Sequence, residues 1–121
     1  MKSKWITHQN KRIMVADYAN FEMDLPALQA EINAVDDIIC REPDDSVLLL
    51  VDVRNITTTI EAVELFKASS ARTTSHLHKT AIVGISSGIR RMLLDVVSRF
   101  SGQEMTIFDD IEPAKDWLVE E

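Results

Sequence analysis

One cysteine in 121 residues leaves no partner for an intramolecular disulfide, so packing and hydrogen bonds alone must hold this chain. Basic side chains are scarce beside acidic ones, thirteen against twenty, giving a formal net charge of −7. Such a surface repels phosphate backbones and anionic lipid, which argues against generic nucleic-acid or membrane binding. Long apolar runs are missing too. The opening MKSKWITHQNKR has no hydrophobic stretch of the kind a signal peptide needs, and no run reaches membrane-spanning length. The expected location is the cytoplasm. Also absent are the glycine spacings of a P-loop or a dinucleotide fold, and any nucleophile elbow around the serines. No cofactor and no catalytic residue is implied.

What is present fits one ordinary α/β domain spanning residues 1–121. Lys4 to His8 and Lys11 to Asp17 read as two strands joined by a tight turn at Gln9-Asn10, with Ile13 and Val15 alternating against Arg12, Met14 and Ala16. Asp24 can cap a helix with Pro26 in its first turn. Leu25, Leu28, Ile32, Val35 and Ile39 form the core face of that helix, and Cys40 is expected to be a buried, inert thiol beside them. Asn33, Asp36 and Asp37 are expected to face solvent, and Pro43 ends the element.

Ser46 to Val53 reads as the deepest strand, because Val47 to Val51 is unbroken aliphatic. A helix follows from about Thr58, carrying Ile60, Val63 and Phe66. Ala81 to Ile85 is a short apolar run ended by Gly84 and Ser86-Ser87-Gly88. Ile89, Met92, Leu93, Val96, Val97 and Phe100 then recur at helical spacing until Gly102. Met105 to Phe108 is the last strand, and Asp109-Asp110 caps a closing helix. The order is β-β-α-β-α-β-α-β-α: a mixed, mostly parallel sheet with an N-terminal β-hairpin and about four helices.

In open sheets of this kind, ligands and partners meet the carboxyl ends of the strands. Those ends carry Asp52, Arg54, Asn55 and Thr57–Thr59, then Ser86, Ser87 and Gly88, then Asp109 and Asp110. Thr57, Thr58 and Thr59 sit at an expected helix N-terminus, where a phosphoryl group beside Arg54 would be favoured, although a plain threonine cap accounts for them as well. Ser86, Ser87 and Gly88, backed by Arg90 and Arg91, have the makings of a short anion-binding nest, and equally of a serine cap with two solvent-facing arginines. His76 and His78 lack a third ligand at a recognisable spacing, so no metal site is expected. Asp52 after an aliphatic strand is reminiscent of a receiver domain, but Asp109 stands where such a domain needs a lysine, and the chain opens with a hairpin. Trp5 and Trp117 are expected to pack in the hairpin and the core, Trp117 on a helix that seals the sheet edge.

The element order and the motifs AIVG, RFSG and IFDDIEPAKDWL resemble the SpoIIAA-like group of STAS-domain proteins. Phe108, Asp109, Ala114, Trp117 and Leu118 carry the closing pattern. The resemblance implies a four-helix, mixed-sheet domain without enzymatic activity. The best-known proteins of that group are anti-sigma-factor antagonists, which bind a partner kinase and are switched off by phosphorylation. Their phosphoacceptor opens the helix after the central strand in an Asp-Ser-Ser-Gly-like motif. The corresponding stretch here is Asp52-Val53-Arg54-Asn55-Ile56-Thr57-Thr58-Thr59, in which Thr57 or Thr58 stands in for the acceptor and the serine-glycine core is missing. The expected function is a non-enzymatic STAS-like module that binds a protein partner around Arg54–Thr59. The alternative is a small-molecule or anion-binding domain using Thr57–Thr59 and Ser86–Arg91. A homodimer through a sheet edge is left open by the composition.

Overall fold

The computed structural model describes residues 2–21, 24–54, 60–84 and 104–120. Five strands form one sheet in chain order: β1 (Lys4–His8), β2 (Lys11–Asp17), β3 (Val47–Asp52), β4 (Leu77–Val83) and β5 (Glu104–Phe108). β1 and β2 are antiparallel, and every later pairing is parallel. Three helices lie among the described residues: α1 (Leu25–Cys40), α2 (Ile60–Thr73) and α3 (Ile111–Val119). The helix expected over Ile89 to Phe100 falls outside the described residues.

Local chemistry accounts for the boundaries. Gln9 and Asn10 both take positive φ, 50° and 67°, which makes the two-residue turn whose twist suits a hairpin. Asp24 caps α1 by accepting the Ala27 N–H at 3.1 Å, and Pro26 costs nothing in that first turn. Within β3, Val47 and Leu49 face one side and Leu48 and Leu50 the other, so the unbroken aliphatic run reflects cover on both faces.

α1 and α2 cover one face. Leu28, Ile32, Val35 and Ile39 of α1 and Ala62 of α2 pack there on Met14, Ala16, Leu49 and Ile82, with the Tyr18 and Phe66 rings 5.7 Å apart. α3 covers the other face, where Ala114, Leu118 and Val119 pack on Ile13, Leu50, Ala81 and Val83. It touches all five strands, so it lies across the sheet rather than sealing an edge. Trp117 sits with its ring 5.6 Å from that of Phe108 and 4.9 Å from the Lys79 ammonium. No helix among the described residues is long and apolar enough to cross a membrane.

Several expectations are corrected. Asp36 is buried, not solvated: it accepts from Ser69 Oγ at 2.6 Å and from both Nε and Nη2 of Arg72, which binds α1 to α2. It lies only about 40° round the helix from Ile32, on the flank of the apolar stripe. Cys40 is exposed, because it falls about 100° from the centre of that stripe. Its thiol lies 3.6 Å from the Arg72 carbonyl. Ile60 is 74 % exposed, and α2 buries Ala62 and Thr73 instead. β4 begins at Leu77, four residues before the apolar run, because polar His78, Lys79 and Thr80 belong to it.

Lys79 explains that last difference. It is 9 % exposed, and its ammonium donates to the carbonyls of Trp117 at 3.2 Å and Glu120 at 3.0 Å. Lys11 donates to the Val119 carbonyl at 3.0 Å. Two cations thus meet the carbonyl end of α3, where the helix dipole is negative and carbonyls lack intrahelical partners. Glu31 does the reverse for the chain start: its carboxylate accepts the Ser3 N–H at 2.8 Å and the Lys2 N–H at 3.3 Å. Burial pushes the Glu31 carboxyl up, but the Ser3 hydroxyl and these amides outweigh it and hold the group below the ordinary value of 4.5.

Replacing Lys79 by Met should lower unfolding free energy by about 1–3 kcal/mol in a denaturant titration, since two partly buried carbonyls lose a charged donor. For Glu31→Gln the sign depends on pH. A depressed carboxyl contributes stability above its unfolded pKa and loses it as pH falls through the folded one. The variant should therefore melt below the wild type at neutral pH, and the gap should close as the medium is acidified below the ordinary glutamate range. A gap that stays constant with pH would contradict the assignment.

Candidate functional site

The carboxyl ends of β2, β3, β4 and β5 share one end of the sheet. They are tied together by backbone: Tyr18 N–H donates to Asp52 O at 3.0 Å, Asn20 N–H to Arg54 O at 2.9 Å, and Val53 N–H to Val83 O at 3.0 Å. β3 therefore hands its chain on into a segment held on both sides.

Asp52 and Arg54 form the centre of this end. Asp52 is 5 % exposed, and both its oxygens are engaged. Oδ1 accepts the Arg54 backbone N–H at 3.1 Å and Nε at 3.0 Å; Oδ2 accepts Nε at 3.1 Å and Nη2 at 2.7 Å. A carboxylate so occupied is a support for the guanidinium and has no lone pair aimed at a substrate. The Asp52 hydrogen bonds and charge raise the Arg54 pKa above its ordinary value, so the cation is permanent. Its side chain is 55 % exposed, displayed from a buried base.

Gly84 makes room for it. With φ at 86°, this residue lies in the region glycine enters without strain, and an added Cβ would fall 2.8 Å from the Arg54 nitrogen and 2.9 Å from its Cα. The end of β4 and the segment after β3 touch backbone to backbone only because no side chain stands between them.

Beside the pair lies an open concavity of about 420 Å³, with Arg54 and Val83 on one wall and the 109–113 segment on the other. Asp109, Asp110 and Glu112 bring three carboxylates to its rim. Asp110 occupies the cap position of α3 with an extended backbone, but its side chain makes no cap hydrogen bond. The described strands run in sequence order, so among them there is no reversal of order between parallel strands and none of the crevice that such a reversal opens.

Of the residues singled out in the sequence, Arg54 is at this end of the sheet. Thr57, Thr58 and Thr59 lie outside the described residues, as do Ser86, Ser87, Gly88, Arg90 and Arg91. His76 and His78 sit at the opposite end, with Nδ1 atoms 2.8 Å from the Glu42 carbonyl and 2.9 Å from Asp45 Oδ1. Among the described residues no group of three metal-ligating side chains converges. The sequence reading missed the closeness of Gly84 to Arg54; the signals were an Asp-x-Arg at a strand end and a lone glycine ending the next strand.

Compared with known proteins, the chain matches no family model and no curated protein.

Gly84→Ala should destabilise the domain by about 1–3 kcal/mol, the range for a non-glycine residue forced into a sparsely populated backbone region. Near-ultraviolet circular dichroism and a thermal melt would register it. A neutral Gly84→Ala variant would mean that the approach of the two segments is loose.

Proposed function

We propose that this chain is a non-enzymatic, STAS-like regulatory module that binds a protein partner through the surface around Arg54. The observation that carries the reading is the Asp52–Arg54 pair: a permanent cation held in one orientation by a buried carboxylate, half exposed at the carboxyl ends of the strands. An arginine fixed in this way is suited to bidentate recognition of a partner carboxylate or of a phosphoryl group. Further support comes from the α/β sheet with its N-terminal hairpin, the architecture expected from the resemblance to the SpoIIAA-like group. On this reading Thr57 or Thr58 is the modification site, and a phosphoryl group there adds charge of about −1.5 to −2 three or four residues along the chain from Arg54.

The small-anion reading has less behind it. Among the described residues, the rim of the concavity carries Asp109, Asp110 and Glu112 against Arg54, whose charge Asp52 already engages. That field favours a partner that brings a cation as well as an acceptor for Arg54.

Native mass spectrometry on the chain purified gently from its own host tests the proposal. The expected result is a retained protein, or a phosphoryl group mapping to Thr57–Thr59, with retention lost in Thr58→Glu while the melting temperature holds. A retained small molecule in place of a protein would overturn the reading in favour of ligand binding.

A further inference from the structure

β1 forms one margin of the sheet, and no described strand lies beyond it. In a two-residue hairpin the residues flanking the turn exchange both backbone hydrogen bonds, and the pattern alternates from there. His8–Lys11, Ile6–Ile13 and Lys4–Val15 are therefore the bonded pairs. The alternation continues past the strand ends. Asp17 N–H donates towards β1, to Ser3 Oγ at 2.9 Å, and Tyr18 N–H donates the other way, to Asp52 O at 3.0 Å. By the same rule the backbone groups of Ser3, Trp5 and Thr7 point out of the sheet. Glu31 meets the first of these at 2.8 Å. No hydrogen bond from a described residue meets Trp5 or Thr7 from outside.

Exposed strand edges are usually blunted by shortness, by charged side chains such as lysine, by a proline, by a bulge or by a covering element; of these β1 is short and carries Lys4. β1 has no proline, and its register with β2 is unbroken over all five residues. We propose that β1 is the interface through which two copies of this chain pair, edge to edge and antiparallel, about a two-fold axis at Ile6.

In that register Trp5 of each copy exchanges both backbone hydrogen bonds with Thr7 of the other. Ile6 meets its own counterpart in the non-hydrogen-bonded position, where Cα atoms approach to about 4.5 Å. Ile6 is half-buried among the apolar residues under α3, so pairing covers surface that one copy alone leaves partly wet. Charge complements this. Lys4 is exposed and shares the α3 face with Ile6 and His8, so it arrives opposite His8 of the other copy. There His8 Nε2 holds Asp116 Oδ1 at 2.7 Å, and Asp116 is 60 % exposed. Lys4 thus meets a carboxylate across the axis in both halves. Its neighbours are already engaged within the chain, Lys2 with Asp17, Arg12 with Glu42 and Lys11 with the Val119 carbonyl.

Sedimentation equilibrium on the whole chain tests this, and the expected mass is twice 13.7 kDa. Thr7→Pro removes an outward N–H and no bond to β2, a substitution an edge strand tolerates, so it should give a folded monomer with unchanged far-ultraviolet circular dichroism. Should that variant unfold, charge reversal decides instead: Lys4→Glu should weaken pairing several-fold, and adding Asp116→Lys should restore it. A wild-type chain that stays monomeric at its highest soluble concentration would overturn the proposal. So would a dimer indifferent to both Thr7→Pro and Lys4→Glu, or β1 amides protected from exchange only when another protein is added.

Discussion

The order of the strands is the constraint on which the rest of this structure depends. β2-α1-β3 and β3-α2-β4 both step to the adjacent parallel strand in the same direction, and right-handed connections then put both helices on one face. The other face is covered by α3, a helix of nine residues and about 13 Å. That is too short to be stable by itself in water, where about 12–15 residues are needed even for good helix formers. Apolar contact through Ala114, Leu118 and Val119 is one half of its attachment; the lysines at its carbonyl end are the other. A buried ammonium is costly alone. Here its hydrogen bonds go to two carbonyls at the end of α3, those of Trp117 and Glu120, and Lys79 belongs to a strand that α3 crosses.

The same strand order shapes the functional end. A reversal of order would splay two parallel strands and open a crevice for a cofactor; sequential order keeps neighbours in register from Tyr18 to Phe108. What this end offers among the described residues is a surface on which Arg54 is held by a buried carboxylate. The fixing comes in layers: Gly84 lets the β4 end approach Arg54, the backbone bonds to Tyr18 and Asn20 hold the segment, and Asp52 aims the guanidinium. Each layer lowers the entropy that a partner must remove on binding.

Much of the architecture was legible because it follows from near neighbours in the chain. The turn at Gln9-Asn10, the Asp24 cap and the two-sided burial of Val47 to Val51 depend on residues within a turn or a strand of one another, and the sequence pattern carries them. Asp36 was misread because its partners, Ser69 and Arg72, come from another helix more than thirty residues away. Nothing in the periodicity of α1 reports that a flank position will be met by an arginine. Lys79 was overlooked for the same reason, its acceptors being backbone carbonyls, which leave no trace in a sequence. At the site, Asp52 and Arg54 were visible as residue types at a strand end. Their mutual geometry, which turns an apparent acid into a support, was not.

The two surfaces bear on each other through symmetry. A two-fold axis at Ile6 joins the sheets into one continuous sheet, and it reverses the direction of β2–β5 from one copy to the next. The Arg54 surfaces then lie at opposite ends of the pair and face away from each other. Two partners can be held without competing, and neither contact removes area from the other. Coupling between pairing and partner binding would have to pass along β2 and β3, whose register is held by packing on both faces. The pairing proposed is thus a means of presenting two fixed arginines in opposite directions.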